Sequence, residues 1–401
     1  MTPSDMALPL ERLEESTELL PDPPDSAPSS STCQKAQKWS LRVLIGVATL
    51  VLCRYATGAE SVRGSAVSVV TRDVANLDSL DSSDEPSSDD ADEESTRSLA
   101  GKCPGGISVE GLSGGVQIIN AVWNVPGEEA PPARALSRSI SLPLSSRSYF
   151  GTSCAADEYN PKEYLAQNLL GKQLLFTVDL SSAGCGCNAA LYLTSLAYVE
   201  TETECKDYYC DAMSVCGVQC PEIDIMEANK HAFRSTLHSG ISNAKLPTAG
   251  FGGGGSQWTG PRDWSQEQYG PGARCIDTNS RFQVAARFPV DENGKLRGLE
   301  VVLLQLSAQR SCELLLDISE YKDPSTGEDM LDALGKTLQA GMTPIVSYWK
   351  ATNMNWLDGH GPGEIGTGLC EKAQDADPQC SDMSGKEEVE FSFFSISDLT
   401  D

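Results

Sequence analysis

Short runs of β-branched and aromatic residues, separated by glycine, proline and polar turns, dominate the chain from Gly101 onward. They cover 172–180, 189–199, 281–290, 296–307, 343–350 and 387–399. Runs of this length and composition predict β-strands. One helical pattern interrupts them at 328–341, where apolar residues recur at 330, 331, 334 and 338. Many short strands with few helices predict an all-β fold, a jelly-roll β-sandwich of two curved antiparallel sheets.

Two local signals refine this prediction. Asn293-Gly294 lies between two of the runs and indicates a tight hairpin turn. The glycine-rich run 251–256 has no Lys-Ser/Thr after it, so it is not a phosphate-binding loop, and we expect a flexible surface loop. The segment 101–170 has no pattern clear enough to assign its strands.

The charge of the chain is concentrated in one segment. The net charge is −27, and ten acids with no base lie between Asp73 and Glu94. Such a segment buries too little apolar surface to offset chain entropy, so 60–100 is predicted to be a disordered acidic linker. An acidic chain has no electrostatic attraction for phosphates, and we expect no nucleic-acid partner.

The first 59 residues have the organisation of a targeting segment. The Pro/Ser/Glu-rich stretch 1–34 predicts a disordered tail. In 35–59, three basic residues precede the apolar run 43–53, and small residues follow at 57–59. This order indicates a cleaved signal peptide or an uncleaved signal anchor. Eleven apolar residues are few for a bilayer span, which takes about 20. A buried soluble helix is the third interpretation.

Both targeting interpretations place the rest of the chain outside the cytoplasm. The protein is then secreted, or held as a type II membrane protein through 43–53, and we expect a monomer. Cysteine usage agrees, because 12 of the 14 cysteines follow the leader and an even number permits six disulfides. Cys205, Cys210, Cys216 and Cys220 offer a zinc site as the alternative, but their spacing fits no common zinc pattern. We therefore expect disulfides of unknown pairing, and no metal.

Three acids lie in the strand-like stretch "PEIDIMEAN" (221–229). Side chains alternate along a strand, so Glu222 and Asp224 share a face. Glu227 joins them if one β-bulge intervenes. Two carboxylates about 5–5.5 Å apart suit retaining glycoside hydrolysis. A third acid between them can orient the nucleophile and share a proton. An acidic strand edge and a calcium-binding face are the alternatives.

This stretch resembles the E-x-D-x-x-E-A-N signature of glycoside hydrolase family seven, the cellulases of the cellobiohydrolase and endoglucanase type. Three further segments, 169–196, 269–288 and 341–359, resemble family segments in the same order, so the resemblance covers most of 115–400. It implies a concanavalin-like jelly roll, with 101–401 as the glycoside hydrolase catalytic domain. The family shares its clan with family sixteen.

The resemblance also implies roles for individual residues. Glu222 corresponds to the nucleophile, Asp224 to its hydrogen-bonded helper and Glu227 to the acid/base. No organic cofactor or metal is implied, and the expected partner is a β-glucan. Tryptophans in polar surroundings suit sugar binding, because pyranose rings have apolar faces. The candidate substrate-binding residues are Asn188, His238, Trp349, Trp356 and Trp123.

Departures from the family pattern bear on specificity. About 30 residues separate Asn188 from Glu222, far fewer than in processive members, whose extra residues close a tunnel. The short stretch therefore predicts an open cleft and endo-acting cleavage of β-1,4-glucan. Thr367 stands where the family often has arginine, which leaves product-site binding of cellobiose open. The alternatives are a family-sixteen-type β-1,3- or mixed-linkage glucanase or transglycosylase, and a non-catalytic glucan-binding module.

Overall fold

The structure is a computed structural model. It describes residues 101–156, 158–240, 250–252, 264–307, 310–323, 326–351, 354–358, 370 and 388–400. The predicted tail, targeting segment and acidic linker, 1–100, lie outside the described residues, as do Trp258, Thr367 and Cys380. Among the helices that are described, none is both long enough and apolar enough to cross a membrane.

The described chain is built mainly from strands. In chain order they are β1 (Gly105–Ile107), β2 (Val116–Asn120), β3 (Trp123–Val125), β4 (Glu128–Glu129), β5 (Arg134–Leu136), β6 (Ser139–Pro143), β7 (Ser146–Gly151), β8 (Lys172–Asp179), β9 (Cys187–Thr194), β10 (Glu222–Ala228), β11 (Phe233–His238), β12 (Phe251–Gly252), β13 (Tyr269–Gly270), β14 (Ile276–Asp277), β15 (Phe282–Arg287), β16 (Leu299–Ser307), β17 (Arg310–Ile318), β18 (Thr343–Lys350) and β19 (Glu388–Asp398). Helix α1 spans Met330–Ala340, and single 3-10 turns occur at Pro161–Glu163, Leu196–Tyr198 and Met354–Trp356.

Two large antiparallel sheets contain most of these strands. The eight-stranded sheet has the order β1-β2-β7-β18-β9-β10-β11-β12, and the seven-stranded sheet has the order β17-β16-β15-β8-β19-β6-β5. Both sheets also pair strands that are far apart in sequence, as in β18 beside β9 and β19 beside β8. The predicted all-β sandwich with few helices is confirmed.

One hydrophobic core joins the two sheets. Leu191 and Ile223 of the eight-stranded sheet belong to the same buried cluster as Phe176, Val301 and Phe391 of the seven-stranded sheet. Each fully buried side chain of this size contributes about 1.5–3 kcal/mol of transfer free energy. Because one face of the eight-stranded sheet packs on this core, its other face is available for a binding groove.

Strand positions agree with the sequence pattern where the apolar runs are long. The run 343–350 is β18, and 387–399 is β19 less a residue at each end. The strand predicted over 189–199 is too long at its end, because β9 ends at Thr194 and Leu196–Tyr198 forms a 3-10 helix. The predicted helix is α1, which Asp329 caps by accepting a hydrogen bond from the Leu331 N–H.

Other elements were not predicted. Strand β17 pairs with β16 over nine residues, and β1 to β7 fill the segment that had no assignment. The first two residues of the glycine-rich run form β12 at the sheet edge, whereas 253–256 of the predicted loop lie outside the described residues. The hairpin signal is confirmed, because Gly294 has a φ of 75° in the turn between β15 and β16.

Every described cysteine of the domain is disulfide-bonded. The pairs are Cys103–Cys154, Cys185–Cys370, Cys205–Cys216, Cys210–Cys220 and Cys275–Cys312, and Cys187 is also bonded. The four-cysteine zinc site is therefore excluded, because its sulfurs form two disulfides. Disulfide formation in the described part of the domain is confirmed.

Candidate active site

Strand β10 separates its apolar and acidic side chains between the two faces of the sheet. Ile223, Ile225 and Met226 are fully buried in the core between the sheets. Glu222 and Asp224 are 7% and 6% exposed. The two residues alternate with the core residues, so they lie on the opposite face. We call this face, on β7, β18, β9, β10 and β11, the groove face.

A β-bulge brings Glu227 to the same face. Opposite β9, Asp224 pairs with Tyr192 and Met226 pairs with the adjacent Leu191. Opposite β11, Asp224 pairs with Thr236 and Glu227 with Arg234. One extra residue therefore lies in β10, which is the bulge that the sequence predicted. The bulge restores the alternation that the offset of five residues between Glu222 and Glu227 would otherwise break.

A buried serine stabilises the bulge. Ile225 has no partner in either ladder. The Ser235 hydroxyl donates a hydrogen bond of 2.7 Å to the Ile225 carbonyl oxygen. A buried carbonyl without a partner would cost about 1–3 kcal/mol, so this bond supports the irregular strand.

A loop closed by two disulfides contacts Glu222. The Ala212 N–H donates a 2.9 Å hydrogen bond to Oε2 of Glu222. The disulfides Cys205–Cys216 and Cys210–Cys220 constrain this loop from both ends. A backbone donor held in this way favours one orientation of the carboxylate and stabilises its charged form.

Asp224 lies between acidic and imidazole groups. Nε2 of His238 is 3.3 Å from Oδ2 of Asp224. A carboxylate oxygen of Glu222, one of Asp224 and a ring nitrogen of His238 lie within 4.8 Å of one another, close enough to share a cation. The other cluster with this spacing among the described residues includes Cys185 and Cys370, whose sulfurs are joined in a disulfide.

Glu227 is held by an asparagine on the neighbouring strand. Nδ2 of Asn188 donates a 3.0 Å hydrogen bond to Oε1 of Glu227, and Oδ1 of Asn188 accepts one of 3.0 Å from the Ala228 N–H. Asn188 is fully buried, whereas Glu227 is partly exposed. The structure thus places Asn188, predicted as a substrate contact, beneath the carboxylate.

Burial raises the pKa of all three acids. The pKa of Glu222 is raised further by the charge of Asp224 and lowered by His238 and the Ala212 N–H. The pKa of Asp224 is raised by burial and then by the charges of Glu227 and Asp211. The pKa of Glu227 is raised by burial, against the Asn188 hydrogen bond and the positive fields of His238 and Arg234. The acids are therefore coupled, and their proton count is shared.

Two of the candidate tryptophans lie together at one end of this face. Trp349 pairs in register with Asn188, and both Trp349 and Trp356 are partly exposed. They pack against a small cluster of Ala232, Met354 and Leu357. Trp123 lies apart, on β3, against a second apolar cluster around Tyr149. Trp264 packs on Phe233 and Tyr269 beside the core.

A buried polar network extends the groove face toward β7. The Arg147 guanidinium lies 3.6 Å from the Tyr209 ring centroid, and its Nη2 is 3.6 Å from Oδ2 of Asp207. The Tyr149 hydroxyl donates to the same carboxylate, and the Tyr192 and Tyr209 hydroxyls are 2.9 Å apart. Burial raises the pKa of Asp207, while Arg147 lowers it.

Several residues of the site were missed from the sequence. Ala212 acts through its backbone, so no side-chain pattern marks it. Arg234 has a signal that was available: in "FRSTLH" it alternates with the apolar Phe233 and Leu237, which places it on the same face as His238. Ser235 has a role only because the bulge lies opposite.

Known proteins resemble the chain in sequence and fold. No family model matches it. Endoglucanase EG-1 of Hypocrea jecorina is 29% identical over 231 residues, 50% of this chain and 48% of that protein. Endoglucanase 1 of Pyricularia oryzae is 27% identical over 282 residues, 59% of this chain and 66% of that protein. The chain spans about half the length of the first curated relatives that it matches.

A solved structure has the same fold. A double mutant of the Humicola insolens endocellulase EGI aligns with a TM-score of 0.52 and 17% identity, covering 73% of this chain and 94% of that one. In sequence the chain is thus similar to these endoglucanases, and in fold it is similar to this endocellulase.

Proposed function

We propose that the protein is a retaining, endo-acting glycoside hydrolase that cleaves β-1,4-glucan. The observation that carries the proposal is the bulged strand β10, on which three carboxylates face the same groove. A relative named as a probable endo-β-1,4-glucanase of Aspergillus flavus, 27% identical over 274 residues, supports the linkage. The bulge also argues against a non-catalytic glucan-binding module, because binding alone does not require three carboxylates on one face.

Glu222 is the proposed nucleophile. Its carboxylate attacks the anomeric carbon and forms a glycosyl ester, while Glu227 transfers its proton to the departing glycosidic oxygen. In the second step Glu227 accepts a proton from water, the water oxygen bonds to the anomeric carbon, and Glu222 leaves. Because Ala212 binds Oε2, the other oxygen of Glu222 is the one that attacks.

Asp224 is the proposed holder of the shared proton. It has a carboxylate on either side, and three neighbouring acids cannot all be ionised. A proton on Asp224 removes the negative charge that raises the pKa of Glu222, and so allows the nucleophile to ionise. We expect a bell-shaped activity profile with a mildly acidic optimum, since Glu222 must be ionised and Glu227 protonated.

The substrate is proposed to lie along the groove face. Trp349 and Trp356 offer apolar rings beside the acids, and stacking on them suits glucose units. His238 and Trp123 are proposed to contact substrate further along the groove, and Asn188 to act by orienting Glu227. The disulfides support a secreted or otherwise extracytoplasmic protein. We further propose that it acts as a monomer in an open cleft and needs no cofactor.

The test compares the full chain with Glu222→Gln on carboxymethyl-cellulose, barley mixed-linkage glucan and laminarin, measuring new reducing ends. We expect wild-type activity on the first two and a loss of at least about 10⁴-fold in the variant, with glucan binding retained. Glu300→Gln, an acid of β16 in the other sheet, is the matched control and should keep full activity.

Each remaining outcome assigns a different function. Cleavage of laminarin alone would keep the acids in their roles but indicate a family-sixteen-type substrate. Glucan binding without cleavage of any polymer would reject the enzyme and favour a binding module. Full activity in Glu222→Gln would reject Glu222 as the nucleophile.

A further inference from the structure

A buried arginine lies directly opposite the proposed acid/base. Arg234 of β11 is the register partner of Glu227, and cross-strand partners project from the same face with Cβ atoms about 4.5–5.5 Å apart. The Arg234 side chain is 2% exposed and is among the largest fully buried side chains of the described chain. A guanidinium removed from water in this way destabilises the fold unless nearby negative charge compensates for it.

We propose that Arg234 is a positioning residue for Glu227, holding its carboxylate in the groove and setting the pH at which it loses its proton. The inference rests on the proposed function, because it assigns Glu227 as the acid/base. Arginine suits the position, since its charge is permanent and its planar group fixes the direction of its hydrogen bonds.

Arg234 also contacts the segment that carries a candidate sugar-binding tryptophan. Its Nη2 donates a 3.4 Å hydrogen bond to the carbonyl oxygen of Leu357, the residue that follows Trp356. Leu357 packs in the same small cluster as Trp349 and Trp356. Arg234 therefore lies opposite the proposed acid/base in the sheet and hydrogen-bonds the segment that carries the proposed sugar platform.

Other charged groups face Glu227 from the neighbouring elements of the described chain. On its own strand, β10, the nearest is Asp224, with Glu222 beyond it. His238 is on β11, and β9 contributes only the neutral amide of Asn188. In the 354–358 segment, Oδ2 of Asp358 accepts hydrogen bonds from the Gly186 N–H and Asn229. Arg234 is the permanent positive charge of this set.

The sign of the effect follows from charge. A nearby guanidinium favours the carboxylate form of Glu227, so it lowers a pKa that burial raises. Without the positive charge Glu227 keeps its proton to higher pH. The alkaline limb of kcat/KM reports loss of that proton in the free enzyme, so the limb should move upward.

The experiment measures kcat/KM against pH for the full chain, Arg234→Gln and Arg234→Lys, on mixed-linkage glucan. Glutamine keeps an N–H donor for the Leu357 carbonyl but removes the charge, and lysine keeps the charge. We expect the alkaline limb of Arg234→Gln to move up by about 1 pH unit and that of Arg234→Lys to stay in place. Arg287→Gln, a half-buried arginine in the other sheet, is the matched control and should leave the limb unchanged.

A second readout does not need activity. The carboxyl signal of Glu227, from ¹³C-labelled glutamate and assigned by its loss in Glu227→Gln, should titrate at higher pH in Arg234→Gln than in wild type. If the wild type cleaves no glucan, the proposed function fails while this titration still tests Arg234.

Three results would overturn the inference. In the first, the alkaline limb of kcat/KM and the Glu227 titration are the same in Arg234→Gln and wild type. In the second, Arg234→Lys shifts both as far as Arg234→Gln does. In the third, Arg234→Gln fails to fold at 10 °C while Arg234→Lys folds with an unchanged alkaline limb. The positive charge would then be required for folding rather than for positioning Glu227.

Discussion

Strands β10 and β11 differ from β15, β16 and β17 of the opposite sheet in both register and burial of charge. The β15–β16 and β16–β17 pairs run without a register shift, over five and nine residue pairs. Their charged side chains that the structure describes all reach solvent: Arg287, Glu300, Glu313 and Asp317. Strands β10 and β11 contain a bulge and bury Glu222, Asp224, Arg234 and His238.

The comparison separates residues that serve the fold from residues that serve the site. Both regions supply apolar side chains to one core, so both satisfy the requirement for burial. Only β10 and β11 place titratable groups where desolvation opposes their charge. Such groupings occur mainly at functional sites, because stability alone does not favour them.

After the loss expected for Glu222→Gln, the largest effect is expected when the central acid, Asp224, is neutralised. Asp224→Asn should lower kcat/KM by about 10²-fold or more, because an amide cannot take up and release the proton that the three acids share. The same substitution should increase stability at neutral pH. The raised pKa of Asp224 means that the folded state binds this proton more tightly than the unfolded state.

The sign of the stability effect depends on pH. Wild-type stability should therefore fall as pH rises above the ordinary carboxyl value of 3.8 toward the raised value of the folded state. At pH 7 the Asn variant should be more stable by about 1 kcal/mol or more, and the gain should disappear below about pH 4. Urea unfolding at pH 3.5 and pH 7 measures both. Asp317→Asn on β17 is the control, and a gain of equal size there would assign the effect to net charge.

The next effect concerns the bulge. Ser235→Ala removes the hydroxyl that binds the Ile225 carbonyl, leaving a buried acceptor without that partner. We expect a loss of about 1–3 kcal/mol in unfolding free energy. Because the bulge aims Glu227, we also expect kcat to fall about tenfold with little change in KM. Ser311→Ala, an exposed serine of β17, is the matched variant. A stability loss with unchanged kcat would show that the bulge forms without Ser235.

The smallest effect is expected on the regular strands. Arg287→Met removes an ion pair of 4.0 Å with Glu300, whose side chains are 28% and 37% exposed. Exposed pairs of this kind contribute about 0–1 kcal/mol and weaken in salt. We therefore expect a stability change within about 1 kcal/mol and unaltered activity. Thermal unfolding at 0.05 M and 0.5 M salt measures it, and a larger loss that persists in high salt would contradict the comparison.

Prediction from sequence succeeded where a pattern is local and strongly periodic. The runs of β-branched and aromatic residues in 343–350 and 387–399 specify strands, and the Asp329 cap and the following apolar positions specify α1. It failed in 101–170, where strands of two to six residues are too short to carry a pattern. It also extended 189–199 past Thr194, because an apolar 3-10 turn has the same composition as a strand.

The sequence by itself determined the class of fold, the strand that carries the acids and the need for one bulge within it. These follow from alternation and from the cost of burying a carboxylate in a hydrophobic core. Tertiary structure alone decided which groups meet those acids. Asn188, Ala212 and Arg234 approach β10 from a neighbouring strand, a disulfide-closed loop and the opposite partner strand. The physical reason is that pairing and loop closure bring together residues distant in the chain, and the pKa of each acid depends on those neighbours.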